Sequence, residues 1–167
     1  MVTGERDREE FTAFVAGSAR RLLHVAELAC GDRHRAEDLV QSALMGAYLR
    51  WDKIRDEDPF AYVRRSVLNG QVSWWRRHSR ESLTAETPDD VAADTVNNAD
   101  DRDALRRALA RLTRRERAVV ILRFIEDLSE QQTALELGIA AGTVKSTSAR
   151  ALAKLRAQAA EPVGDMP

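Results

Sequence analysis

The sequence has a single cysteine, Cys30, among 167 residues. One cysteine cannot form a disulfide within the chain or supply the several thiolates of a structural zinc site, and this scarcity fits a reducing cytoplasm. No apolar run approaches the roughly 18 residues of a membrane span, and the first ten residues, MVTGERDREE, are too polar for an export signal. We therefore expect a cytoplasmic protein.

Catalytic groups are scarce as well. His24, His34 and His78 are not at metal-ligand spacing, and Cys30 has no paired base in the sequence. The chain also lacks a glycine-rich phosphate loop. We expect no enzymatic activity, no metal and no cofactor.

Charge is unevenly distributed although the net charge is only −1. Residues 81–101, ESLTAETPDDVAADTVNNADD, contain seven acidic residues and no basic ones. This composition predicts a flexible acidic linker, because it offers little apolar surface to bury. The linker would stay a solvated tether, fold back over the basic surfaces on its two sides in the free protein, or thread a basic channel on a partner.

Apolar residues recur at helical spacing on both sides of this linker, and no strand pattern appears. The spacing predicts helices over about 9–29, 33–51, 59–79 and 102–111, then a further helix from a capping box at Thr113, and a final pair between Ser129 and 158. Leu105 and Phe124 are expected in the core. The expected fold is all-α, with two small helical bundles joined by the flexible acidic linker.

The final pair, from Ser129 to Arg156, has the spacing of a helix-turn-helix. Ser129 and Gln132 form a capping box, and Gly138 follows the first helix where the chain needs a positive φ. Val144 lies on the apolar face of the second helix, between the two helices. From Thr143 to Arg156 every charged residue is basic, which suits a helix against phosphates. A solvated helical hairpin is the alternative interpretation.

The predicted third helix combines arginines with adjacent tryptophans. Between Arg64 and Arg80 there are five arginines, no acidic residue and the pair Trp74-Trp75. Aromatic rings stack on unpaired bases and guanidinium groups hold the backbone, so this composition is typical of single-strand binding. On composition alone, the alternative is that one tryptophan is in the core and the arginines keep the surface soluble.

Three blocks of sequence resemble the extracytoplasmic-function (group IV) sigma factors of the sigma-70 family. They are AEDLVQSAL at 36–44, VRRSVLNGQVSWWRR at 63–77, and 112–156 with its GTVKS. The tryptophan pair and the acidic linker resemble the actinobacterial members. This resemblance implies a bacterial transcription initiation factor that binds core RNA polymerase and promoter DNA, both as duplex and as melted single strand. An anti-sigma factor is a further partner that it implies.

The resemblance also divides the chain. Residues 1–80 would be sigma region 2, which binds the polymerase and melts the minus-10 element. Residues 81–101 would be the linker, 102–160 would be region 4, which binds the minus-35 element, and 161–167 a frayed tail.

Each role is implied for particular residues. Contact with the clamp helices of the largest polymerase subunit is implied for Glu37, Asp38, Leu39 and Gln41. Contact with the minus-10 element is implied for Lys53, Arg55, Arg65, Asn69, Trp74, Trp75, Arg76, Arg77 and Arg80. Contact with the minus-35 element is implied for Gly142, Thr143, Lys145, Ser146, Thr147, Arg150 and Lys154, while other faces of region 4 would meet the polymerase flap.

The chain departs from the family pattern at four positions. Thr147 and Ser148 stand where Arg-Leu is usual, Thr133 where a branched aliphatic is usual, and Ser73 where Asp is common. We expect the missing arginine at 147 to remove a DNA contact and Ser148 to loosen the packing of its helix.

Two other functions use parts of this pattern. A stand-alone helix-turn-helix regulator would need the C-terminal pair but not the arginine-tryptophan helix, and it would bind duplex DNA without polymerase. A helical protein-interaction adaptor would show no salt-dependent DNA binding.

The tryptophan pair provides a test of strand capture. Trp74→Ala with Trp75→Ala should weaken promoter opening more than closed-complex binding, because stacking is worth about 1–3 kcal/mol per base only after the bases are unpaired. Both steps can be measured with the variant bound to core polymerase. Equal losses in the two steps would contradict strand capture by this pair.

Overall fold

The computed structural model describes residues 4–78 and 100–160, with side chains over 4–70 and 101–160. The chain divides into two compact units, Met1–Leu83 and Thr84–Pro167. Both are built from helices, and no strand occurs in the described ranges. The prediction of an all-α protein with two helical bundles is confirmed. The linker residues 81–99 and the tail 161–167 lie outside the described residues.

The described helices follow one another in a simple order. In the N-terminal unit they are α1 (Glu5–Cys30), α2 (Arg33–Tyr48), the short α3 (Trp51–Ile54) and α4 (Pro59–His78). In the C-terminal unit they are α5 (Asp100–Ala110), α6 (Arg114–Val120) with a π-helical turn at Ile121–Ile125, α7 (Glu130–Leu137) and α8 (Ala141–Ala160). Within these residues, no helix combines the length and the apolarity that crossing a bilayer requires.

Trp51 packs in the core of the N-terminal unit. Its ring meets Phe11 edge-on at 5.1 Å between centroids, and Phe14 lies 5.3 Å away. Both phenylalanines are on α1, so Trp51 attaches α3 to the core that α1, α2 and α4 share. Each such aromatic pair contributes roughly 0.5–1.5 kcal/mol beyond its buried area.

The second helix ends earlier than its spacing predicted. We expected it to reach Trp51, but α2 ends at Tyr48, and Arg50 leaves the helical conformation at φ −123° and ψ 16°. This break turns Trp51 into the core as the first residue of α3. Farther along, Asp58 caps α4 by accepting from Ala61 N at 2.9 Å, as the sequence predicted.

Val144 of α8 forms the centre of a small core in the C-terminal unit. It is fully buried and packs in one cluster with Val119 of α6 and Ala134 of α7. The capping box at Thr113 is confirmed. Thr113 N donates to Glu116 Oε2 at 3.0 Å, and Glu116 N donates to Thr113 Oγ1 at 3.3 Å.

Two residues predicted for the core are at the surface. Leu105 is 37% exposed and Phe124 is 50% exposed. For Phe124 the reason is the π-helical turn, in which Glu126 N bonds to Ile121 O at 2.9 Å. The wider turn adds a residue and shifts the helical phase on which the prediction relied.

Arg117 of α6 is buried and holds the end of α5. Its Nε donates to Leu109 O at 2.9 Å, and its Nη2 donates to Leu112 O at 3.2 Å and to Ala110 O at 3.4 Å. The last carbonyls of a helix have no partner within the helix. Arg117 therefore adds donors at the end of α5 and in the turn that follows it, where Leu109 O also accepts from Leu112 N at 3.0 Å.

We expect Arg117→Met to lower the free energy of unfolding of the C-terminal unit by about 3 kcal/mol, because three hydrogen bonds from a buried guanidinium are lost. Arg115→Met is the matched control, since Arg115 is exposed on the same helix, and should cost less than about 0.5 kcal/mol. Urea unfolding followed by circular dichroism measures both. Similar losses for the two variants would show that the buried bonds contribute little.

Candidate DNA and protein interfaces

The predicted helix-turn-helix is present in α7 and α8. Ser129 Oγ accepts from Gln132 N at 3.1 Å, and Gln132 Oε1 accepts from Ser129 N at 2.8 Å, so the predicted capping box is confirmed. Gly138 ends α7 with φ +65°, a left-handed conformation that a side chain would strain. The chain then turns through Ala140 into α8.

The exposed side of α8 forms a continuous stripe, which we call the α8 outer face. Its members recur every three or four residues and are Gly142, Lys145, Ser146, Ala149, Arg150 and Ala153. Four of the six are small, so the helix backbone is able to approach a groove closely, and the other two are cations. Ala149 was not predicted as a site residue, although its spacing from Lys145 and Ser146 indicates the same face.

Thr147 does not lie on this face. It is 1% exposed, three residues after Val144 and therefore on the core side of α8. The prediction that Thr147 contacts DNA is wrong, and position 147 is not where a missing arginine would leave a gap on the outer face. Ser148 and Thr133 are buried too, and the hydroxyl of each has no hydrogen-bond partner among the described residues.

Lys154 is tied to another helix of the same unit. Its Nζ donates to Glu116 Oε2 at 2.9 Å, and that oxygen also accepts from Thr113 N at 3.0 Å. Burial alone would raise the pKa of Glu116, but the bonds from Lys154 and Thr113 outweigh it and hold this pKa below its usual value. Glu116 therefore stays ionised and paired at neutral pH.

The N-terminal unit exposes part of the predicted minus-10 surface. Lys53, Arg65 and Asn69 are all exposed. The backbone of α4 continues through residues 74–77, but the side chains of Trp74, Trp75, Arg76 and Arg77 lie outside the described ones, as does the whole of Arg80. Arg64 differs from Arg65, since it is buried 5.3 Å from the centre of the Phe60 ring.

Arg55 is held by carboxylates of α1. Its Nη1 lies 2.5 Å from Asp7 Oδ1 and 3.6 Å from Glu10 Oε2. The loop from 55 to 58 is thereby attached to α1 at one end, while Asp58 caps α4 at the other. Arg55 is engaged within the unit, so its geometry favours fixing this loop over direct contact with DNA.

The predicted polymerase-binding residues on α2 separate into three environments. Asp38 and Gln41 are exposed on one side of the helix. Glu37 pairs with Arg33 at 3.1 Å. Leu39 packs against the core instead of facing outward. It lies close to α4, since a Cβ added at Gly70 would be only 3.3 Å from Leu39 Cδ2.

A groove of about 710 Å³ lies between α1 and α2. Met45 and Leu49, at 68% and 80% exposure, stand at its edge and continue the line of Asp38 and Gln41 along α2. Exposed apolar patches with polar rims mark sites of protein association. The lining residues are Arg8, Phe11, Thr12, Val15, Gln41, Leu44, Met45, Tyr48 and Leu49. This groove was not predicted from the sequence, although the four-residue spacing of Met45 and Leu49 indicates an apolar edge on α2.

Two family models match the chain. The model of sigma-70 region 2 matches residues 9–81, and the model of sigma-70, region 4 matches residues 102–155. The first range contains every lining residue of the α1–α2 groove except Arg8, and the second contains the α8 outer face.

Similar proteins include an RNA polymerase sigma-E factor of Streptomyces avermitilis, 41% identical over 149 residues that cover 88% of this chain and 83% of the relative. The ECF RNA polymerase sigma factor SigM of Mycobacterium tuberculosis is 32% identical over 89% of this chain and 76% of its own length. Among solved structures, the sigma factor RpoE of Bartonella quintana, crystallised with the anti-sigma factor NepR, is 25% identical with a TM-score of 0.71, covering 89% of this chain and 96% of that one.

The pairing of Glu116 with Lys154 predicts that the stability of the protein depends on pH. Because its pKa is lowered on folding, the pair stabilises the protein above the unfolded pKa of about 4.3 and the contribution is lost as pH falls through the lower folded pKa. Lys154→Met should raise the pKa of Glu116. The variant should be less stable than wild type at neutral pH, and this difference in stability should shrink below about pH 4. Carboxyl NMR titration and thermal unfolding measure the two effects.

Lys145→Met is the control, because Lys145 is exposed on the same helix, and it should leave the pKa of Glu116 unchanged. If Lys154→Met also leaves that pKa unchanged, the pair does not hold Glu116 ionised.

Proposed function

The chain belongs to the sigma-70 family and is an RNA polymerase sigma factor of the extracytoplasmic-function group, and from this we propose how its two units divide promoter recognition. The N-terminal unit, about residues 1–80, acts as region 2. The C-terminal unit, about residues 102–160, acts as region 4. The residues between them connect the two contacts.

In region 2, we assign polymerase binding to the α1–α2 groove together with Asp38 and Gln41. The observation that carries this assignment is the apolar edge of Met45 and Leu49, exposed beside Gln41. An amphipathic or coiled helix of the polymerase clamp would bury this edge. Leu39 stabilises the packing of α2 on α4, and Glu37 contributes through its pair with Arg33.

The minus-10 element is assigned to α4 and the loop before it. Lys53, Arg65 and Asn69 present polar groups to the strand, and the segment that carries Trp74, Trp75, Arg76, Arg77 and Arg80 supplies stacking and further charge. Unstacking a base costs a few kcal/mol, so capture of the extruded base favours opening without any bond chemistry. Arg55 holds the loop in place through Asp7.

The minus-35 element is assigned to the α8 outer face. Gly142 and Ser146 allow the start of α8 to enter the major groove, with Thr143 beside them. Arg150 reaches a base edge or phosphate, and Lys145 binds phosphate. Leu105, Phe124 and Leu135, 37%, 50% and 76% exposed, are the large apolar residues that the described part of this unit offers to the polymerase flap.

Other properties follow from the same role. The chain acts on promoters within a holoenzyme and has no catalytic activity of its own. It works in the cytoplasm, where core polymerase and the nucleoid are. An anti-sigma factor is a further partner, on the precedent of the Bartonella quintana protein.

Met45→Asp with Leu49→Asp should lower the affinity for core polymerase by at least about 30-fold, because both apolar side chains would be buried in the complex. Titration of the chain with core polymerase measures the affinity, and run-off transcription should fall in parallel.

The control is Ala13→Asp with Ala16→Asp, which adds the same charge at exposed positions of α1 outside the groove lining and should bind normally. If both double variants bind core polymerase like wild type, the groove is not the polymerase site.

A further inference from the structure

The Glu116–Lys154 pair connects the start of α6 with the part of α8 that follows the DNA-facing turns. From it we infer that Glu116 is a positioning residue, which fixes the orientation of the α8 outer face and withholds Lys154 from the DNA phosphates. The inference rests on the proposed function of α8 and assigns Lys154 a role different from the DNA contact predicted from sequence.

Glu116 is suited to this role because its own carboxylate is fixed. The side chain is 8% exposed, and Oε2 accepts from Thr113 N at 3.0 Å within the capping box of α6. Glu116 is held through both its backbone N–H and its carboxylate, so this carboxylate cannot follow Lys154 if α8 rotates. Any rotation therefore lengthens the bond from Lys154.

The pair gives α8 a second attachment. Val144 is anchored in the core with Val119 of α6. Lys154 follows ten residues later, about 15 Å farther along the axis. Two attachments at separate points restrict both the tilt and the rotation of a helix. Arg150 lies between them, so the direction in which its guanidinium projects is restricted as well.

The charges on α8 are consequently of two kinds. Among the described residues, Lys145 and Arg150 have no ion-pair partner, and the contact described for Arg150 is a 3.4 Å bond from Nη2 to Thr147 Oγ1. Lys154 already has its charge matched by Glu116. A phosphate that captured Lys154 would leave a buried carboxylate without its ammonium partner, which is costly. Lys145 and Arg150 are therefore the cations of the α8 outer face that remain available for DNA.

The test uses holoenzyme reconstituted with each variant and measures the slope of log affinity for promoter duplex against log salt concentration. Lys145→Met should reduce the magnitude of the slope by about one, because one phosphate contact releases about one counterion. Lys154→Met should leave the slope unchanged. Glu116→Gln, which retains an acceptor for Thr113 N, should increase the magnitude of the slope by up to about one as it frees Lys154.

Positioning is measured by the preference for the promoter over the same DNA with a scrambled upstream element. Glu116→Gln and Lys154→Met should each lower this preference about fivefold, and the double variant should lose no more than either single one. Lys154→Arg should restore the preference, because Arg also pairs with a carboxylate. Circular dichroism confirms that each variant is folded.

Two results would overturn the inference: a slope lowered as much by Lys154→Met as by Lys145→Met, or a preference that Glu116→Gln leaves intact. Failure of the proposed function itself looks different. In that case wild-type holoenzyme shows no preference for the upstream element, before any variant is compared.

Discussion

The C-terminal unit depends on the buried guanidinium of Arg117. It donates to Leu109 O near the end of α5 and to Leu112 O in the turn that follows, and so fixes the corner between α5 and α6. Thr113 lies in that corner and starts α6 through its capping box with Glu116. Glu116 in turn holds Lys154 on α8. A buried charge is tolerated only with such partners. The orientation of α8 is therefore linked, through Glu116 and Thr113, to the bonds that Arg117 makes at the end of α5.

The N-terminal unit is organised by aromatic packing instead. Trp51 and two phenylalanines close one region of its core, while the groove between α1 and α2 stays open and keeps Met45 and Leu49 in solvent. Small bundles bury a smaller fraction of their surface than large domains do. An apolar face that the unit does not cover is available to a larger assembly, which is the situation of a factor that acts only when bound to polymerase.

Features encoded by neighbouring residues could be predicted from the sequence. The capping boxes at Thr113 and Ser129 and the left-handed Gly138 each depend on a few adjacent side chains, and all three are present. Features that depend on distant partners could not. Arg55 meets Asp7 across 48 residues and Lys154 meets Glu116 across 38. The π-helical turn, which no local pattern indicates, exposes Phe124. Thr147 lies three residues after Val144, and this spacing places it on the buried side of α8.

In the proposed function, one surface binds duplex DNA, another binds polymerase and the melted strand, and neither surface suffices alone for promoter opening. Footprinting of a promoter with the chain alone, with core polymerase alone and with both, together with permanganate probing for unpaired thymines, tests this directly. The account predicts upstream protection and downstream strand opening only when both proteins are present. Tight, sequence-specific protection by the chain alone, unchanged by core polymerase, would contradict it.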